Sequence, residues 1–280
     1  MDTPRKKYPR LSVLIATFQP EGIRRVEAMR LPEVEGVEYV VSWQEHEDAP
    51  VPKALTERKD VRIFRLSAKG VSNNRNNAMA HARGELVLMS DDDLIYTPEN
   101  LLTVMRAFDT LKDADYISFR YEGPAGKQYP RDVTPLTPPP KGFSQCCFEI
   151  ALRRNALTDT LRFNPLFGPG APYLKAAEDE VFLLEALRKG VKAYFYPATI
   201  CIHPDLTTGS RPYTIGVLRA AGAFILMSTP LTALVRIPLK AWRLAKTGQS
   251  PFFSGLFAML QGAAYALTKK PLRKIMLTSK

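Results

Sequence analysis

Through the first 120 residues, short apolar runs alternate with helix-like stretches, and this alternation limits the fold more than any other feature of the chain. Leu11-Ser-Val-Leu-Ile-Ala16 reads as a buried strand ending in the loop Thr17-Phe-Gln-Pro20. Gly22 to Leu31 follows as a helix, Val37 to Ser42 as a second strand and Val61 to Leu66 as a third. Ser72 to Arg83 reads as a helix, with Ser72 as its N-cap and Gly84 closing it. Glu85 to Ser90 is a fourth strand, Pro98 to Leu111 a helix with proline in its first turn, and Asp115 to Arg120 a further strand. Strand and helix in turn at this spacing predict an α/β fold with a mostly parallel sheet and helices on both faces.

Beyond this block the pattern loosens. Gly123 to Gly142 is rich in proline and glycine and reads as a long surface loop. Order returns from Phe143 to Asn155. The loop Phe167-Gly-Pro-Gly-Ala-Pro172 precedes a helix from about Ala176 to Lys189, ended by Gly190. Lys192 to Tyr196 reads as a strand that stops at Pro197. These boundaries predict a catalytic domain over 1–215 and a helical region over 216–280.

Charge separates the same two regions. The chain's net charge is +11, but residues 1–205 hold 28 Lys+Arg against 28 Asp+Glu, whereas residues 206–280 hold 11 Lys+Arg and no carboxylate. A neutral body with a basic end differs from a nucleic-acid-binding domain, and no RNA-binding aromatic motif accompanies the charge, so no nucleic-acid partner is expected. Residues 220–235 and 247–268 are uncharged, but proline, glycine and glutamine interrupt them, and spanning a bilayer takes roughly 20 predominantly apolar residues. Leu231, Leu234, Val235, Leu239 and Trp242 recur near helical spacing against Arg236, Lys240, Arg243 and Lys246, with Pro238 opposing one unbroken helix. This pattern predicts amphipathic segments lying on an anionic membrane, and the same helices are a candidate surface for a homo-oligomer. The basic N-terminal stretch lacks a signal-peptide core, and Cys146, Cys147 and Cys201 form no metal or disulfide framework. The expected location is therefore the cytoplasmic face of the cell membrane.

The strongest local chemistry is Asp91-Asp92-Asp93 at the end of an apolar strand. Alternating pleat directions set Asp91 and Asp93 on one side and Asp92 on the other. Such clustering calls for a cation, and a hard divalent ion with oxygen ligands answers that need, although acidic residues also suit the start of the next helix. In open α/β sheets the ligand crevice lies beyond the carboxyl ends of the strands, where this cluster falls.

Its context is more specific. Lys69-Gly-Val-Ser-Asn-Asn-Arg-Asn76, a helix, Arg83-Gly-Glu85, a strand and then the three aspartates together resemble family 2 glycosyltransferases, which have the Rossmann-like GT-A fold. Glu178-Asp-Glu-Val-Phe182 is similar to the family's ED motif, and Ile202-His-Pro204 to its late histidine. The resemblance covers roughly residues 10–215. It implies a metal-dependent, inverting transfer of sugar from a nucleotide-sugar donor, with Mn²⁺ or Mg²⁺ as cofactor. Asp93, Asp91 and His203 would hold the metal, and Asp179, with Glu178 second, would be the catalytic base. Thr17, Phe18, Ser42, Gln44, Lys69, Arg75, Asp91, Asp92 and Arg211 would contact the nucleotide sugar. Where family members often end the second strand in an acidic residue, this chain has Val41-Ser-Trp-Gln44, with Trp43 expected in the core and uridine the default base. Together with the basic end, the resemblance implies a lipid-linked saccharide acceptor in cell-surface polysaccharide or glycolipid synthesis. A sugar-phosphate nucleotidyltransferase and a non-catalytic membrane-bound scaffold of the same fold are the alternatives.

Overall fold

The computed structural model describes residues 9–124, 126–204 and 213–269. They divide into two compact units, one of residues 9–163 and 182–204, the other of 164–181 and 213–269.

The first unit is built on a single sheet of eight strands. In chain order these are β1 (Leu11–Phe18), β2 (Val37–Gln44), β3 (Val61–Leu66), β4 (Leu86–Ser90), β5 (Tyr116–Glu122), β6 (Thr134–Pro135), β7 (Ile150–Arg153) and β8 (Ala193–Ile202). They lie in the order β3-β2-β1-β4-β7-β5-β8-β6. β3, β2, β1 and β4 are mutually parallel, as are β5 and β8, while β7 and β6 run against their neighbours. The sheet is therefore mostly parallel, as the alternation predicts.

Both faces are covered, which explains why β1 and β4 read as continuous apolar runs rather than alternating ones. Leu11, Val13 and Ile15 pack with Ile23 and Val26 of α1 (Gly22–Ala28) and with Leu101, Val104 and Phe108 of α4 (Pro98–Thr110). On the opposite face, Leu14, Val87 and Met89 pack with Ala78 of α3 (Val71–His81) and with Phe182 and Ala186 of α5 (Glu178–Arg188). The short α2 (Lys53–Thr56) adds Leu55 at the edge.

Three local expectations change. The N-cap of α3 is Gly70, at φ +98°, a conformation open to glycine at little cost; Ser72 is buried inside the first turn. The segment 123–142 is not wholly a surface loop, because its few apolar residues anchor it. Leu136 is buried, β6 pairs with β8, and Tyr129 stacks on Phe195 at 5.8 Å. Lys127 and Tyr129 both bond the fully buried Glu149. Finally, β8 runs through Pro197. The register slips between Ser118↔Phe195 and Arg120↔Thr199, so the proline, which has no N–H for the ladder, sits in an irregularity that asks for none.

In the second unit, Phe167, Leu174 and Val181 share one apolar cluster with Ala220, Ala223 and Tyr265, so 164–181 groups with the C-terminal helices rather than with the sheet. Those helices are α6 (Ile215–Ser228), α7 (Ala233–Lys246) and α8 (Phe252–Thr268). α7 is one helix despite Pro238, whose missing bond would go to Leu234 in the exposed first turn. No single described helix is long and apolar enough to cross a membrane; α6 and residues 230–246 reach that length only as a pair bent by 117°.

α6 and α8 meet backbone to backbone. A Cβ on Gly222 would lie 2.0 Å from the Met259 carbonyl oxygen, and one on Gly262 would lie 1.8 Å from that of Arg219. Neither carbonyl can swing aside as a side chain can. Gly262→Ala gains about 1 kcal/mol of helix propensity but incurs about 3 kcal/mol of overpacking, a net loss of about 2 kcal/mol. Gly255→Ala in the same helix meets only the Ser250 hydroxyl at 3.1 Å, so propensity wins and stability holds or rises. Urea denaturation of both variants checks the contrast.

Candidate active site

β1 and β4 run side by side in one direction, so Thr17 and the three aspartates emerge at the same edge of the sheet. The pleat then separates the aspartates. Asp92 turns toward β1 and α1, where its Oδ2 accepts from Arg25 Nη2 at 2.8 Å, from Arg25 Nε at 3.1 Å and from the Thr17 hydroxyl. Asp91 pairs with Arg75 Nη2 of α3 at 3.3 Å. Asp93 faces His203, with Oδ2 3.6 Å from Nε2.

This last pairing has a backbone cause. Just past the aspartates, Ile95 forms an antiparallel bridge with Ile202 at the end of β8, donating to its carbonyl at 2.9 Å and accepting from its N–H at 3.0 Å. The His203 N–H continues to the Glu122 carbonyl at 2.8 Å, and its ring packs on Phe148 at 5.3 Å and Tyr121 at 6.3 Å. Two segments over a hundred residues apart are thus tied before any ligand is considered.

The three carboxylates differ in compensation. Asp91 and Asp92 each have a guanidinium; among the described residues no Lys or Arg lies within ion-pair distance of Asp93. Burial, and then the Asp91 charge, push the Asp93 carboxyl above its usual range, with His203 opposing them. Asp93 Oδ1 and His203 Nδ1 are buried with no hydrogen-bond partner among the described residues.

The other polar residues frame this edge. Asn74 of α3 donates to the Thr17 carbonyl at 2.7 Å, and Asn77 to the Ser42 hydroxyl at 2.8 Å. Gln44 donates to the carbonyls of Ala68 and Gly70, holding the loop that enters α3. Lys69 pairs with Glu45 at 2.6 Å. Phe18 is about half exposed, with the Arg25 guanidinium 5.4 Å from its ring centre, while Trp43 is fully buried and donates to the Gln19 carbonyl at 2.7 Å. The structure therefore brings Thr17 to Asp92, Arg75 to Asp91 and His203 to Asp93, and gives Ser42, Gln44 and Lys69 partners within the protein. Glu178 and Asp179 form the first turn of α5 in the second unit, Glu178 buried and Asp179 half-buried. Arg211 lies outside the described residues.

Sequence reasoning misses Arg25, Asn74 and Asn77. The asparagines carry a signal: the run Asn73-Asn-Arg-Asn-Asn77 is costly in a helix unless its side chains are used elsewhere. Arg25 carries none, because its partner Asp92 is 67 residues away.

Among the described residues no three His, Cys, Asp or Glu side chains form a cage for a metal. Mg²⁺-type sites seldom need one, since they take one or two carboxylates and complete the shell with water and substrate phosphates. Asp93, with a buried oxygen left over and a histidine beside it, fits such an open site.

Residues 44–164 match the sequence model of Glycosyl transferase family 2. No protein of curated function matches the chain. Among solved structures, S. aureus TarS with UDP is 19% identical, aligned over 84% of this chain and 70% of TarS at a TM-score of 0.54. TarS with UDP-GlcNAc is 18% identical over 93% of this chain and 76% of that one, at 0.55. The mannosyltransferase PcManGT from Pyrobaculum calidifontis, with GDP-Man and Mn²⁺, is 13% identical over 94% and 88%, at 0.56. At these identities the likeness speaks for the fold, and with the family match it supports glycosyl transfer. Over residues 44–164 the chain is thus similar to glycosyl transferase family 2, and its fold is GT-A.

Proposed function

We propose that this protein moves a sugar, with inversion, from a nucleoside-diphosphate sugar to a hydroxyl of a lipid-linked saccharide in the synthesis of cell-surface polysaccharide or glycolipid. The observation that carries the reading is Asp93: a half-buried carboxylate with one fully buried oxygen, no Arg or Lys within ion-pair distance among the described residues, and His203 facing it at the carboxyl edge of a parallel sheet. TarS bound to UDP and UDP-GlcNAc, and PcManGT bound to GDP-Man and Mn²⁺, support a nucleotide-sugar donor and a divalent ion.

Asp93, with His203 beside it and Asp91 near, would hold Mn²⁺ or Mg²⁺. Bound there, the ion offsets the charge that builds on the departing diphosphate. Asp91, paired with Arg75, can accept from a ribose hydroxyl. Asp92, held by Arg25 and Thr17, fixes the turn that presents its neighbours. Asp179 takes the proton of the acceptor hydroxyl; the new bond forms at the anomeric carbon as the bond to the diphosphate breaks, and the electron pair leaves with the nucleoside diphosphate. Its assignment rests on the ED-like motif, with Glu178 second.

A thermal-shift panel of nucleoside diphosphates and their sugars with Mn²⁺ tests the donor. One base is expected to stabilise the chain by about 2.7 kcal/mol at a hundredfold excess over Kd. Product analysis tests the reaction: nucleoside diphosphate is expected, pyrophosphate would assign nucleotidyl transfer, and neither product would leave a non-catalytic scaffold.

A further inference from the structure

The α7 helix has two apolar faces. Ala233, Ile237, Ala241 and Leu244 are buried inside the second unit. A second stripe points outward: Leu234 is 83% exposed and Trp242 50%, and Leu231, in the turn just before α7, is 98% exposed. Arg236, Arg243 and Lys246 are exposed along the flank of that stripe, with the Lys246 ammonium 5.0 Å over the Trp242 ring. The neighbouring α8 adds an uncharged outer face, where Phe253, Phe257 and Leu267 recur at helical spacing, Phe253 at 81% exposure. The glycines between α6 and α8 take no part in it. They close the inner packing, and among the described residues these outward apolar side chains stay exposed.

We propose that this surface docks on an anionic phospholipid bilayer, with α7 lying in the interface plane. Charge decides the occupant. From residue 206 onward the chain has 11 Lys+Arg and no Asp or Glu. A second copy turned onto the same face would set cations against cations with no carboxylate to relieve them. A lipid surface instead offers acyl chain to the apolar stripe and phosphate to its cationic flank. Trp242 sits at the border of stripe and flank, where an amphipathic ring settles at headgroup depth.

Vesicle binding by the full chain tests the proposal and stands apart from any sugar transfer. Phosphatidylcholine vesicles containing phosphatidylglycerol should sediment the protein and shift Trp242 emission to shorter wavelength, while pure phosphatidylcholine does neither. Trp43, already buried, stays constant, and Trp242→Phe removes the shift. Each cation near the surface raises affinity about fivefold, so Arg236→Gln, Arg243→Gln and Lys246→Gln together weaken binding about a hundredfold. Leu234→Glu with Phe257→Glu abolishes it. All these positions are exposed, so the variants should keep the parent Tm. Absence of binding, or equal binding to both vesicles, would overturn the proposal. A dimer in sedimentation velocity that Leu234→Glu with Phe257→Glu dissolves, in a protein that ignores vesicles, would give the face to a second copy.

Discussion

Asp93→Asn should lower turnover about a thousandfold, because it would remove the carboxylate proposed to fix a Lewis acid worth several kcal/mol to the leaving group. Mn²⁺-dependent stabilisation by the nucleotide should vanish with it. The fold should not suffer. Burial and Asp91 both disfavour the Asp93 charge, and the amide keeps the shape, so the variant without ligand should melt at or above the parent temperature. Asp92→Asn makes the control. It weakens the clamp from Arg25 and Thr17 and lowers Tm, an effect on stability rather than on metal. A folded Asp93→Asn protein that still answers to Mn²⁺ and turns over at the parent rate would remove Asp93 from its role.

Asp179→Asn should have an effect of similar size at a different step. General-base catalysis contributes typically 10²–10⁴-fold, so transfer should fall about a thousandfold. The proposed metal-holding residues Asp91, Asp93 and His203 belong to the first unit, and Asp179 to the second, so Mn²⁺-dependent nucleotide binding should survive. Single-turnover transfer measured beside the thermal shift separates the two. Retained transfer would pass the base role to Glu178, and Glu178→Gln would then show the loss instead.

The α/β architecture was legible because burying both faces of a strand leaves a short apolar run, and β1, β2 and β4 each have one. The side to which Asp92 turns was legible as well, since pleat geometry alone separates it from Asp91 and Asp93. What lay hidden was non-local. Arg25 holds Asp92 across 67 residues, and nothing in Arg24-Arg25 marks which arginine faces the sheet. Residues 164–181 join the C-terminal helices through Phe167, Leu174 and Val181, and three scattered apolar residues do not announce their partners. Pro197 and Pro238 misled for one reason: proline ends an element only where its missing N–H is needed, and local pairing decides that. Segment 123–142 hid its anchor because Tyr129 and Leu136 are thinly spread among prolines.

The Ile95–Ile202 bridge is made wholly of main-chain atoms, so the approach of His203 to Asp93 does not depend on which side chains stand at those two positions. Ile95 and Ile202 are themselves partly open to solvent, and changes there can tune the surface without resetting the pair. The same two amides are also clocks. Their deuterium uptake records how often the acidic turn and the end of β8 part company, and a ligand that grips both segments must slow the two together.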